Sequence, residues 1–264
     1  MKLGLRGIGV VGPGLADAAQ ALTALRAPAA WSAAPTVIPA PALLPPAERR
    51  RAGAVVKLSL AVAQEACAQA GVEPAALATV FSSSSGDGAN CHALCEALAT
   101  PDRAVSPTRF TNSVHNAAAG YWHIATVNRQ PSTSLCAHDA SFAAGLLEAA
   151  MQVQATGRPV LLVVGDVPYP QPLLATRPIT DSFGVAWVLD RVEAQDAVAT
   201  LDLATTDRAG DDTRCASAGF EAVRLGIPAA RCLPLLERLA LGAAGSVVLG
   251  RAEGLPLRIE VASR

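Results

Sequence analysis

The residues best placed by type and spacing to do chemistry are Cys136, His138 and Asp139, lying between a short polar run and a long Ala/Leu run. A thiol attacks as its thiolate, and a helix N-terminus lowers a thiol pKa and steadies developing negative charge. If residues 132–136 form a strand and 141–155 a helix, Cys136 stands at such a junction and is a candidate catalytic nucleophile. His138, two positions on, is not aimed at the sulfur by spacing alone. The competing reading is a small core residue beside a helix cap supplied by Asp139 or Ser141.

Three other spacings invite chemistry. Cys91 and Cys95, with His92 between them, put two thiols one turn apart on a helix face, a partial zinc set. Zinc takes four ligands, and no second Cys/His pair stands at metal spacing, so no metal is expected and both thiols read as buried or partly buried on an Ala-rich helix. Gly7-Ile8-Gly9-Val10-Val11-Gly12 matches the dinucleotide pattern G-x-G-x-x-G. Its glycines fall within a strand rather than after one, and no acidic residue stands about twenty positions on to hold a ribose, so no cofactor is expected. Residues 82–88 (Ser-Ser-Ser-Ser-Gly-Asp-Gly) resemble an anion-cradling nest, but without the Lys of a P-loop they read as a tight turn.

Periodicity supplies the elements that must position these groups. Residues 3–12 read as an apolar strand broken by Pro13-Gly14, followed by a helix over 17–26 and a Pro/Ala-rich surface loop over 27–46. Ala54, Leu58, Val62, Ala66 and Ala70 recur every four residues, which predicts one helix over 46–70 behind the basic turn Arg49-Arg50-Arg51, capped by Gly71. Residues 78–82 predict a buried strand and 89–99 a helix. The run 132–165 predicts strand, helix, strand: a right-handed crossover between parallel strands, the second apolar throughout because helices cover both faces. Further strands are predicted at 184–189 and 246–249, with an alternating edge strand at 257–261. The fold class is α/β.

Composition narrows the function. At 264 residues with 51% hydrophobic and 4% aromatic side chains, the chain suits a single large domain of closely packed helices and sheet. A formal charge of −1 lacks the electrostatic footprint of a nucleic-acid binder. No signal-peptide order is present at the start, and no run approaches the roughly 18 apolar residues of a membrane span, so a cytoplasmic protein is expected. Six scattered cysteines lack the density of a secreted disulfide scaffold and are expected to remain thiols, most of them core fillers.

Four blocks together resemble the ketoacyl-synthase families of the thiolase superfamily: residues 7–14 (Gly-Ile-Gly-Val-Val-Gly-Pro-Gly), 80–88 (Val-Phe-Ser-Ser-Ser-Ser-Gly-Asp-Gly), 106–122 (Ser-Pro-Thr-Arg-Phe-Thr-Asn-Ser-Val-His-Asn-Ala-Ala-Ala-Gly-Tyr-Trp) and 132–149. The stretch from 106 to 149 is the specific part. It is similar to the shortened, chain-length-factor-like proteins of type II fatty-acid and aryl-polyene assembly. The resemblance implies the amino half of a layered αβαβα fold over 1–190, with 191–264 a shortened extension that completes or caps the sheet. It also implies dimerisation through the strand before the nucleophile elbow, with Asn112, His115, Asn116, Tyr121 and Trp122 at the interface.

Two departures bear on mechanism. Aligning the following helix on Ala143-Ala144 puts Ala137, not Cys136, at the nucleophile's place. Cys215-Ala-Ser-Ala-Gly219 looks like an elbow too, yet follows a polar stretch where a buried strand belongs, and reads as a loop cysteine. Decarboxylative condensation in the family uses two histidines from the carboxy-terminal half, and no histidine follows His138 here. The enolate formed on loss of carbon dioxide needs donors at its oxygen, and losing one costs about 2.7–4 kcal/mol of barrier. The expectation is a non-catalytic or weakly catalytic subunit that pairs with a full-length ketosynthase and an acyl carrier protein. The alternatives are a Cys136-dependent acyltransferase or thioesterase-like enzyme, and a homodimeric acyl-carrier-binding module.

Overall fold

The chain runs β1 (Lys2–Val11), α1 (Ala18–Arg26), α2 (Pro46–Arg51), α3 (Ala54–Ala70), β2 (Ala78–Ser83), α4 (Gly88–Ala99), α5 (Pro107–Thr111), α6 (Ala117–Thr126), β3 (Ser132–Cys136) and α7 (Ser141–Thr156). It continues through β4 (Val160–Asp166), α8 (Leu173–Thr176), β5 (Phe183–Asp190), β6 (Ala199–Thr205), α9 (Ala218–Gly226), α10 (Leu233–Leu241), β7 (Gly245–Leu249) and β8 (Leu257–Ser263). This computed structural model describes residues 1–194, 196–207, 212–250 and 256–263; part of the polar stretch before Cys215 and part of the segment after residue 190 lie outside the described residues. The described strands form one sheet in the order β3-β2-β4-β5-β1-β6-β8-β7. β2 is parallel to β3 and to β4, and the remaining neighbours are antiparallel.

Helices cover both faces of the left half of this sheet. Alternate side chains of β4 and β5 divide between them: Val160, Leu162, Val164, Val185 and Trp187 join the core under α1 and α7, while Leu161, Val163, Ala186 and Val188 join the core under α3 and α6. With apolar cover on both sides these strands have no polar face, which is why β4 reads as an unbroken apolar run. β6 and β8 differ. Their buried positions alternate with partly or fully exposed ones, because helices pack on only one side there. The expectation that 257–261 is an edge strand is therefore corrected: β8 lies between β6 and β7, and alternation reports a solvated face rather than a sheet edge.

The predicted 46–70 helix is also corrected. It is two helices, broken where Ala52 and Gly53 turn extended, so that the strict four-residue spacing belongs to α3 alone. The Asp87 carboxylate sits 2.5 Å from where a Cβ on Gly53 would be, so a larger residue at this junction would have to displace that carboxylate.

β1 shows what the glycines of the G-x-G-x-x-G pattern admit. A Cβ on Gly7 would lie 2.2 Å from the Ala66 carbonyl oxygen, and one on Gly9 would lie 2.0 Å from that of Val62. The glycines let α3 lie directly on the strand. Pairing with β6 extends from Lys2 to Leu5, leaving the outward amides of Ile8 and Val10 without a strand partner. α3 supplies the acceptors: Ile8 N–H donates to Gln69 Oε1 at 2.5 Å and Val10 N–H to Glu65 Oε2 at 2.9 Å. Glu65 also accepts from Ala18 N–H at 2.6 Å, tying α1 to the same point. Burial pushes the Glu65 carboxyl up, against the pull of those two amides. Glu65→Ala strands both donors and is expected to lower stability by about 2–3 kcal/mol, read as a shift in the urea midpoint at unchanged slope.

Candidate functional site

β3 forms the left edge of the sheet and ends at Cys136. Its parallel register with β2 sets Ser83 opposite Cys136, and Ser83 Oγ lies 3.7 Å from the sulfur. Gly86, at φ +74°, turns the chain after β2 so that its N–H donates to Ser83 Oγ at 2.8 Å, which leaves the Ser83 proton free for the sulfur. From the turn between α5 and α6, His115 brings Nδ1 to 3.8 Å from Cys136 Sγ. That turn is braced by Asn112, which donates to the Arg51 carbonyl at 3.1 Å and accepts from Tyr121 Oη–H at 3.1 Å. Burial pushes the Cys136 thiol up, the Ser83 hydrogen bond pulls it down, and the nearby Asp166 charge pushes it up again.

The turn from β3 into α7 is strained at His138, which holds φ +53° without being glycine. A residue in that conformation at a strand-to-helix turn is held above the sheet end, as a nucleophile elbow holds its serine. The strained position is therefore His138, one residue past the Ala137 expected from the helix alignment, and Cys136 lies two residues before it. The Arg177 guanidinium packs against the His138 ring and donates to Asp139 Oδ1 at 2.9 Å, while Arg231 lies 3.7 Å from the other Asp139 oxygen. Asp139 is therefore an ion-pair partner, not a helix cap. Ser141 Oγ instead accepts from Ala137 N–H at 3.1 Å and donates toward the Ser83 and His138 carbonyls, bracing the elbow from within. Beneath it, Asp166 at the end of β4 accepts from Ser84 N–H at 2.7 Å, and Ser84 Oγ meets Tyr169 Oη at 2.9 Å. Desolvation pushes the Asp166 carboxyl up against these hydrogen bonds.

Of the expected interface residues, His115 and Asn116 are exposed and Asn112 is half-buried. Trp122 is fully enclosed in the chain's own core and Tyr121 is buried beside it, so these two support α6 from behind instead of facing outward. Cys91 and Cys95 are exposed on α4, not buried as expected, and with Cys136 they make half of the cysteines surface thiols. Among the described residues no group of three or more His, Cys, Asp and Glu is placed to hold a metal ion. Cys215 is a buried loop residue whose thiol is pushed up to about 12, chiefly by burial, and its N–H donates to Glu221 Oε2. Ser83 and Arg177 were not singled out in sequence. Ser83 acquires its place only through the β2–β3 register, and Arg177 lies 39 residues from His138 with no motif around it.

A mixed sheet between helix layers, its edge strand running into a positive-φ turn and a long helix, defines a thiolase-type α/β protein. The family model for the beta-ketoacyl synthase N-terminal domain matches residues 24–223. The chain belongs to that family. Similar solved structures include a chain of the ketosynthase (ApeO)–chain length factor (ApeC) complex from Xenorhabdus doucetiae, 21% identical, with 100% of both chains covered and a TM-score of 0.72. A chain of the ishigamide ketosynthase/chain length factor is 14% identical over 100% of this chain and 99% of that one, with a TM-score of 0.71. A chain of the AntDE:AntF assembly, a type II PKS acyl-carrier protein in complex with its ketosynthase, is 8% identical over 100% and 99%, with a TM-score of 0.73. A comparison with curated proteins finds no match. Among the described residues no helix is long and apolar enough to cross a membrane.

Proposed function

We propose that this chain is a cytoplasmic, chain-length-factor-like subunit of fatty-acid-like or polyketide assembly, of the aryl-polyene type. It pairs with a full-length ketosynthase and shapes the tunnel that holds the growing acyl chain, delivered by an acyl carrier protein. The observation that carries this reading is the free flank of β3. An edge strand with unpaired backbone groups is a template for another chain, and this one closes the half of the sheet in which β4 is buried along its whole length. Exposed apolar side chains stand on the segments that precede it: Phe110 of α5 is 70% exposed, Val114 53%, Ile124 of α6 55% and Val127 74%, and Val114 lines a hollow with Ser134 and Leu135 of the strand. A hollow of about 380 Å³ lined by His115, Asn116, Gly120, His123 and Ser134 lies against the strand. Exposed aromatic and aliphatic anchors around a free sheet edge are what a stable partner covers. The solved relatives described as ketosynthase and chain length factor complexes support the same pairing.

Co-expression with a full-length ketosynthase from the same assembly line tests it. The two chains are expected to co-purify and co-elute, and Phe110→Asp with Val114→Asp is expected to weaken the complex by at least about tenfold while leaving this chain's melting temperature unchanged. Elution of the wild-type chain alone removes the heterodimer. Incubated by itself with malonyl and acyl carrier thioesters, the purified chain is expected to form no carbon–carbon bond, because one imidazole, His115, stands beside Cys136 where the family's condensation uses two further histidines.

A further inference from the structure

The heterodimer reading asks no covalent chemistry of this chain, yet one thiol is equipped for it. Among the described cysteines, Cys67, Cys215 and Cys232 are buried, and the first two are pushed up to about 12, mainly by desolvation. Cys91 and Cys95 are exposed, but the imidazole beside them, on His92, is turned to Glu96 at 3.3 Å. Cys136 alone of the described thiols combines exposure with a hydroxyl at 3.7 Å and an imidazole nitrogen at 3.8 Å.

We infer that Cys136 and His115 form a thiol–imidazole pair that accepts an acyl group from a thioester, with Ser83 donating to the sulfur. The base is therefore not His138, the imidazole nearest in sequence, whose ring is packed against Arg177. In the reaction His115 Nδ1 takes the proton from Cys136 Sγ. The sulfur attacks the thioester carbonyl carbon, the bond from that carbon to the leaving sulfur breaks, and the leaving thiolate takes the proton back from His115. One thioester and one thiol give one thioester and one thiol, with no net redox change. The Ser83 hydroxyl, already accepting from Gly86 N–H, has its own proton left for the sulfur as charge gathers there. His115 is needed because burial first, and then the charge of Asp166 of β4, favour the protonated form of the sulfur. The assignment is made for the chain by itself and tested without a partner, so either reading can fail without the other.

The test uses the purified full chain and hexanoyl-N-acetylcysteamine as acyl donor, followed by intact-protein mass spectrometry over time at pH 7 and pH 10. A single acyl adduct is expected on the wild type and none on Cys136→Ala, which retains Cys91 and Cys95. His115→Asn is expected to slow adduct formation by about 100-fold or more at pH 7, the scale of general-base assistance, and to close on the wild-type rate toward pH 10, as rising pH ionises the thiol directly. A merely structural role for His115 would not produce that pH-dependent rescue. The inference is overturned by an absent wild-type adduct, by an adduct that survives Cys136→Ala, or by a His115→Asn rate equal to wild type at pH 7.

Discussion

Gly9→Ala is expected to remove about 3 kcal/mol or more of stability, among the largest effects a single methyl can have in this chain. The added Cβ would sit 2.0 Å from the Val62 carbonyl oxygen and 2.8 Å from its carbonyl carbon. Both are helix backbone, so relief requires α3 to move away from β1 as a body. α3 carries Val55, Val56, Leu58, Leu60, Val62 and Ala66 into one face's core, and Gln69 and Glu65 of the same helix satisfy the open edge of β1. A retreat of even a few tenths of an ångström loosens all of these together. Gly120→Ala is the matched control: nothing lies within 4 Å of the new methyl, the site is inside α6, and helix propensity predicts a gain of up to about 1 kcal/mol. Urea unfolding of the two variants checks the pair. Equal midpoints for Gly9→Ala and wild type would refute the close-approach account of the glycine motif.

The same motif shows where sequence reasoning succeeds and where it stops. Its position inside a strand was enough to argue against a dinucleotide, but not to say what the glycines admit, since Val62 and Ala66 are more than fifty residues away. Local pattern was readable wherever a face was buried along a whole element: β1, β2, α3, α7, β4 and β5 all follow from apolar period or run. It was least readable where contact is long-range or cover is one-sided. β6 alternates Ala199, Leu201 and Leu203 inward, a pattern short enough to pass for loop, and β8 alternates in the same way yet lies inside the sheet. At the site, Cys136 was visible because strand, thiol and helix are consecutive. Its companions were not, because Ser83 and His115 reach it through a register and a turn, and the capping role proposed for Asp139 yields to Arg177 from a separate segment. Trp122 shows the converse: an aromatic among polar neighbours looks the same in sequence whether it faces a partner or its own core, and only the packing of α6 on α3 decides.

Arg224→Met is expected to cost about 3 kcal/mol, because it leaves one half of a largely enclosed ion pair behind. The Arg224 side chain is 4% exposed and clamps Glu221 with two bonds, Nε–H to Oε2 at 2.8 Å and Nη2–H to Oε1 at 2.7 Å. Glu221 also accepts from Cys215 N–H at 2.9 Å, so the pair fixes the loop that leads into α9, and α9 in turn holds Trp31 by stacking Phe220 against it at 4.1 Å. Replacing both partners by apolar residues, Glu221→Leu with Arg224→Met, is expected to recover much of the loss, since neither charge is then left without its counterpart. The pH dependence carries the sign. The Arg224 hydrogen bonds hold the Glu221 carboxyl at about 2, below its ordinary value of about 4.3 in an unfolded chain. A depressed carboxyl contributes stability above the unfolded pKa and loses it as the pH falls toward the folded one, so the contribution is intact at neutral pH and fades between about pH 4 and pH 2. Glu221→Gln should therefore unfold more readily than wild type at pH 7, with the gap narrowing toward pH 2. A gap that stays constant across that range would mean the Glu221 carboxylate is not what Arg224 holds.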